Sequence, residues 1–348
     1  MIGYLAQAEG APCPTLVLPT SGPLDGAPVP HATLAGVRAW LVRTGRAAVM
    51  KIAFVAPSRH PLADLDFRFV QCLPGGGFDS TGNCGHSIAC AALAAKEHRL
   101  TPPPGEPVRV YVTNNGDHVL CEIGETARRE AELSLHFVHT PAPLLSALLP
   151  TGNPVDKLAV GTRTLEASLV SAGNPYVFVD ARDLGLTGRR ALFTAGDDVL
   201  EELRAVRAAA AELLGRPPAG AFPKAAVVAA HGPGPLAVRA LSVPAWHPTL
   251  ALTGAVCLCV AVTLDGTLPA RLAPGPADLG PHGRRIEVAS PGGPRSVTVA
   301  TTDTPAGPAL TRTSVHGKHA RILTGPLHLP TALHETRKEA DLCLPPRT

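Results

Sequence analysis

The stretch Ser80-Thr81-Gly82-Asn83-Cys84-Gly85-His86-Ser87 stands directly ahead of the apolar segment Ile88-Ala89-Cys90-Ala91-Ala92-Leu93-Ala94-Ala95. Ala, Ile, Cys and Leu fall on every face of a helix running from Gly85 to about His98, so that helix is predicted to be buried nearly all round. A buried helix that begins at a Gly-Asn-Cys-Gly turn has chemical consequences. Its first backbone N–H groups lack internal partners and carry partial positive charge, so they can hold a carboxylate or a developing enolate oxygen. The same field favours the thiolate of a cysteine placed there, which makes Cys84 a usable acid or base near neutrality. Free cysteine is also among the most buried residue types, and the motif alone leaves an inert core role open.

Working outward from this turn, short β-type runs bounded by turn residues recur. They include Thr15–Leu18, Lys51–Val55, Phe67–Val70, Val108–Val112, Tyr176–Val179 and Ala225–Val228. A second helix is predicted from about Asp197 to Leu214, with Gly196-Asp197-Asp198 at its start and Gly215 as its stop; it is amphipathic and belongs on the surface. A third, about Gly254 to Leu264, is again apolar and rich in small residues. The first and third resemble each other, and each lies among strand-like runs. That pattern suggests an α+β fold built by internal duplication: two pseudo-symmetric lobes, each a curved β-sheet wrapped around a central buried helix, with the active site in the cleft between them. The expected division is residues 1–165 for the first lobe, with 318–330 returning to it, and 166–317 for the second. Residues 331–348, mixing charges and prolines, are expected to form a loosely held tail.

Composition excludes several classes. The 348 residues carry 45% hydrophobic and 17% charged side chains, which argues against wholesale disorder. A formal charge of +3 and 4% aromatic content give no footprint for nucleic acid. The most apolar stretch, Leu250–Leu264, is too short to span a bilayer, and the N-terminal residues lack a basic start followed by an apolar core. Eight cysteines without framework spacing read as reduced thiols, so a cytoplasmic protein is expected.

The run Thr81–Ser87 resembles the Gly-Asn-Cys-Gly-Asn signature of the PrpF-type isomerases. That family includes 2-methylaconitate isomerases, oxalomesaconate tautomerases and methylitaconate isomerases, within the diaminopimelate-epimerase fold superfamily. Further stretches match in the same order: Lys51–Ser58, Leu149–Asp156, Ala172–Asp180 with Asp183–Gly188, Pro223–Val228, His247, Thr253–Leu258, and Arg312-Thr313 with the final strand through Ile322. The resemblance implies a lysine and a cysteine facing each other across a substrate carbon, and Lys51 and Cys84 occupy those positions. It implies a proton shift in a small unsaturated carboxylic acid through an enolate-type intermediate, with no metal, flavin or nucleotide. Candidate substrate-binding residues are Ser21, Gly22, Asn83, Gly85, His86, Ser87, Asn153, Asn174, His247, Thr253 and Gly254.

The chain also departs from that pattern. The family's Gly-Gly-Thr-Ser-Lys-Gly type loop corresponds here to Pro19-Thr20-Ser21-Gly22-Pro23, His86 replaces an asparagine, and Ser290-Pro291-Gly292-Gly293 replaces a His-Pro-Ser-Gly turn. These changes lie where carboxylates are expected to bind, so an acid with fewer carboxylates fits. Racemases of the same fold use two opposed cysteines, but the second half reads Leu250-Ala251-Leu252-Thr253-Gly254, which disfavours a two-thiol pair. Cys257 and Cys259 are two apart on a helix and read as core, with no cluster of metal-ligand spacing nearby. His86 serves either as an acid/base or in positioning, and His247 either faces the cleft or is structural. Asn153 and Asn174 precede or begin turns that can reach a cleft. The run Val315-His316-Gly317-Lys318-His319 reads as a basic turn. The expected partner is a small carboxylic acid, with no nucleic acid or membrane, acting on a monomer or homodimer. A racemase, a diverged cyclase or lyase, and a non-catalytic binding protein on the same fold stand as alternatives.

Overall fold

The computed structural model describes residues 1–20, 22, 24, 28–124, 129–230, 232, 234–242, 245–274 and 283–330. The first lobe contains β1 (Ile2–Ala8), β2 (Thr15–Pro19), β3 (Lys51–Pro57), β4 (Leu65–Cys72) and β5 (Phe78–Asp79). It continues with β6 (Val108–Val112), β7 (Asp117–Ile123) and β8 (Glu130–Val138), with helix α1 (His31–Arg43) after β2 and helix α2 (Gly85–Glu97) after β5. The second lobe contains β9 (Asp156–Val160), β10 (Arg163–Ala172) and β11 (Asn174–Asp180), then helices α3 (Gly188–Thr194) and α4 (Asp197–Leu213). There follow β12 (Lys224–Ala229), β13 (Leu236–Ser242), β14 (Ala245–Trp246), helices α5 (Leu252–Val262) and α6 (Leu268–Leu272), β15 (Arg284–Ser290) and β16 (Gly293–Thr304). The last strand, β17 (Gly307–His328), serves both lobes.

The lobes repeat one pairing scheme. In the first, β1–β2 is antiparallel, β2–β3 parallel, β3–β4 and β4–β5 antiparallel, and β4–β6 parallel. In the second, β10–β11, β11–β12, β12–β13, β13–β14 and β13–β15 repeat that order of senses. The antiparallel meanders β6–β7–β8 and β15–β16–β17 complete each copy. Each wraps a central helix: α2 and α5 bury Ile88–Ala95 and Ala255–Ala261 within one shared apolar core. Helices apolar on all faces can sit only where the sheet surrounds them. Helix α4 instead covers the outer face of the second sheet through Val199, Leu203 and Val206. Helix α1 does the same for the first through Leu34, Val37 and Leu41.

Several elements differ from the sequence expectation. α1 has no counterpart there. Its buried residues recur at helical spacing, but it follows Pro30 and carries Thr33, Gly36 and Trp40, which blur the pattern. α5 starts at Leu252, so Thr253 and Gly254 lie inside its first turn rather than ahead of it. β9 pairs with β10, and its Leu158 and Val160 pack with the residues beneath α4. The run Val315–His319 is not a turn but a bulge inside β17, where Gly317 takes φ 65° and the register with β8 shifts. From Val315 onward this strand pairs with β8 and then β1, so it returns to the first lobe. The tail at 331–348 lies outside the described residues. Among the described residues no helix is long and apolar enough to cross a membrane.

Candidate active site

Lys51 is the first residue of β3, and the parallel register sets it beside Thr15 at the start of β2. Its side chain is buried, 6% exposed. Cys84 is the N-cap of α2, in extended conformation at φ −141° and ψ 107°, with the backbone donors of the first turn beside its side chain. The Lys51 ammonium and the Cys84 sulfur line the same cavity, close enough for each to shift the other's titration. Burial alone would raise the Cys84 thiol, but Lys51, the hydroxyl and backbone N–H of Ser87, and Lys224 together hold it below the ordinary thiol range. Burial would likewise lower Lys51, but Cys84, Cys13 and Cys90 outweigh it and the ammonium stands above its usual range. The resting pair therefore leans toward thiolate and ammonium.

The mouth of α2 is fastened to the opposite lobe. Asn174 accepts the Asn83 backbone N–H at 3.0 Å, and its amide donates to the Asn83 carbonyl at 2.8 Å and to Thr253 Oγ1 at 3.2 Å. The glycines flanking Cys84 explain how the lobes approach so closely. A Cβ on Gly82 would lie 2.3 Å from the Phe222 ring, and one on Gly85 would lie 2.6 Å from Leu252. The Asn83 amide donates to Asp117, whose carboxyl burial pushes up to about 6 against the hydrogen bonds of Asn115 and Asn83.

A cavity of about 40 Å³ opens between the lobes at this point. Lys51, Asn83, Cys84, Gly85 and His86 reach it from the first lobe, and Asn174, Lys224, His247 and Thr253 from the second. His86 stacks on His247 with ring centroids 5.9 Å apart. Burial, reinforced by nearby Lys318 and Lys51, holds His86 well below the usual imidazole range, and burial with Lys51 and Lys224 takes His247 down to about 3. Both imidazoles are therefore neutral near pH 7. Nδ1 of His247 accepts the Thr249 backbone N–H at 3.1 Å, which leaves the ring proton on Nε2. Neither ring nitrogen of His86 has a partner among the described residues.

Some residues singled out from sequence lie elsewhere. Gly22 follows the end of β2 that pairs with Val55, the far end of the strand pair from Lys51. Ser21 lies outside the described residues. The parallel register turns the β1–β2 loop, Glu9–Pro14, toward the site instead, and Cys13 in that loop is close enough to Lys51 and Cys84 to feel both charges. Asn153 binds Asp156 at 3.0 Å, in a loop whose Pro154 packs on Gly266 beyond the C-terminal end of α5, the end opposite the cavity. Ser87 supports Cys84 rather than lining the cavity, its hydroxyl 2.9 Å from that of Thr15. Gly254 packs under the Tyr176 hydroxyl rather than on the cavity wall. Cys257 and Cys259 are core thiols; burial pushes Cys257 to about 12.

Lys224 escaped the sequence reading as a site residue. The signal was present: Lys224-Ala225-Ala226-Val227-Val228 repeats the pattern of Lys51-Ile52-Ala53-Phe54-Val55, a lysine heading an apolar strand. Among the described residues no cluster of His, Cys, Asp and Glu has the arrangement of a metal site.

Two duplicated lobes, each wrapped around a buried helix and with a cavity between them, have the diaminopimelate-epimerase fold. Residues 42–330 match the family described as PrpF protein, and the chain belongs to that family. It is 29% identical over 179 residues to the 3-methylitaconate isomerase of Eubacterium barkeri, covering 45% of this chain and 47% of that one. It is 28% identical over 246 residues to the (4E)-oxalomesaconate Delta-isomerase of Novosphingobium sp. (strain KA1), covering 64% and 68%. The crystal structure of a methylitaconate-delta-isomerase superposes with a TM-score of 0.66 at 20% identity, covering 96% of each chain.

Proposed function

We propose that this protein moves a proton between carbons of a small unsaturated carboxylic acid, with Lys51 and Cys84 as the proton-transfer pair. The observation that carries this reading is the placement of Lys51 and Cys84 together on the wall of one interlobe cavity, with Cys84 at the mouth of a buried helix. The named isomerase relatives support it.

The charge distribution assigns the steps. The Cys84 thiolate takes an allylic proton from the acid, and the C–H electron pair moves into the conjugated system to form a dienolate. The N–H groups of Gly85 and His86, at the start of α2 on the cavity wall, would hold the oxygen that gains charge. The Lys51 ammonium then delivers a proton to the carbon at the other end of the system, and the double bond shifts. Proton transfer from the Cys84 thiol back to the Lys51 amine restores the resting pair. Burial keeps water from competing for either proton. The described cysteines are all free, which supports a reducing, cytoplasmic setting.

The test is exchange of deuterium from solvent into 3-methylitaconate, oxalomesaconate and 2-methylaconitate. Wild type should incorporate deuterium into at least one of them, and Lys51→Met and Cys84→Ser should each lose most of that rate. Exchange by Lys51→Met at the wild-type rate would falsify the assignment.

A further inference from the structure

Lys224 is the second lobe's counterpart of Lys51. Lys51 heads β3 and pairs with Thr15 of β2 across a parallel ladder; Lys224 heads β12 and pairs with Tyr176 of β11 across the equivalent ladder. The next strand in each lobe also contributes to the cavity at its last residues, with Gln71 on β4 and Ser242 on β13. The duplication therefore brings two lysines into one cavity from opposite walls.

Their surroundings differ. Lys51 has a counter-charge in Cys84. The Lys224 ammonium lies 4.9 Å over the Phe222 ring, and among the described residues no carboxylate comes within ion-pair distance of it. A buried cation without a counter-charge costs folding free energy, and such costs concentrate where a ligand later offsets them. The cavity lining points the same way: among the described residues it holds Lys51, Lys224, His86 and His247 and no carboxylate.

We propose that Lys224 is a substrate-binding residue supplied by the second lobe, whose ammonium takes a carboxylate of the acid held between Lys51 and Cys84. This rests on the proton-shift reading of the same cavity. The groups that face Lys224 include Lys51 on β3, Cys84 at the start of α2, Asp79 on β5, Arg207 on α4 and His247 after β14. Burial first, then Lys51, outweigh the opposing pull of Cys84 and Asp79 and lower the amine to about 8. The binding charge is present below that pH and is lost as pH rises through it.

Calorimetric titration with succinate, an unreactive dicarboxylate, tests this on wild type, Lys224→Met and Lys224→Arg at pH 7 and pH 9. Wild type should bind more weakly at pH 9. K224M should lose about 10- to 100-fold in affinity at pH 7, the range for a hydrogen bond to a charged group, together with the pH dependence. K224R should keep most of the affinity without the pH dependence. Thermal melting separates binding from architecture: removing an unpaired buried charge should leave the Tm of K224M equal or higher, whereas a structural lysine would lower it. Equal succinate affinity in wild type and K224M, including no measurable binding by either, overturns the proposal. In deuterium exchange, K224M should raise KM with much less effect on kcat, whereas Lys51→Met should abolish kcat. Loss of succinate binding in K224M with no exchange by wild type in any acid would refute the proton-shift reading and leave the anion site standing. Normal exchange with an unchanged KM in K224M would do the reverse.

Discussion

Cys84 caps the central helix of the first lobe, and Ala251 caps that of the second. The two positions are related by the duplication, each at the start of an apolar helix and each lining the cavity together with the strand-leading lysine of its own lobe. One copy has kept a thiol beside its lysine and the other has not. The two lobes line one cavity differently: the first brings a lysine with a thiol, and the second brings a lysine without an ion-pair partner among the described residues, and a clamp. The clamp is Asn174, which fixes both backbone groups of Asn83 and so the angle at which Cys84 faces the cavity.

The comparison can be broken most forcefully at the pair itself. Lys51→Met and Cys84→Ser should each cut solvent-deuterium exchange by about 10²- to 10⁴-fold, the usual worth of a positioned proton-transfer group. Unchanged exchange in both would mean that the lobes do not differ in the way described. Next comes the clamp. Asn174→Ala leaves the buried Asn83 N–H and carbonyl without their partners, at a cost of about 1–3 kcal/mol in stability by denaturant unfolding. A midpoint equal to wild type would show that the two groups find other partners. Gly82→Ala forces a methyl group against Phe222 and should cost about 1–3 kcal/mol through overpacking, unless the ring can rotate away.

The smallest effects sharpen the comparison. Ala251→Cys restores a thiol at the second helix mouth, near Lys224. Its alkylation by iodoacetamide should begin at lower pH than that of an ordinary thiol, with the fold unchanged by circular dichroism. In wild type, alkylation of Cys84 should likewise rise below the ordinary thiol range, because Lys51 favours the thiolate over the thiol. Lys51→Met should move that profile upward. Cys90 and Cys121, which burial pushes to about 12, should stay silent in the same experiment.

The parts of this site that depend on local sequence are legible in the order of residues alone. The apolar run after Cys84 specifies a buried helix, and the Gly-Asn-Cys-Gly turn specifies its mouth. Lys51 is legible through its place at the head of an apolar strand in an ordered set of family matches. The parts set by pairing between distant segments are not. Which end of β2 faces the site depends on the parallel register of Thr15 with Lys51, and that register places Cys13 near the chemistry and Gly22 away from it. Lys224 carries the same local pattern as Lys51, but its unpaired state is a property of the assembled cavity. His86 can be noticed as a substitution, whereas its stacking on His247 requires both lobes. The bulge at Gly317 is a further case: a glycine flanked by histidine and lysine reads as a turn until the neighbouring strand keeps the ladder going.

That final strand has a consequence for how the chain is made. β17 pairs in succession with β16, β8 and β1, and the backbone of Leu329 bonds to that of Met1. The first half of the molecule therefore lacks a staple until residues 307–328 have left the ribosome. During synthesis β1 and β8 present open edges, the kind of surface that recruits chaperones or neighbouring nascent chains. Closing so distant a contact late also predicts slow, length-limited folding, with the reactive cysteine assembled among the last features.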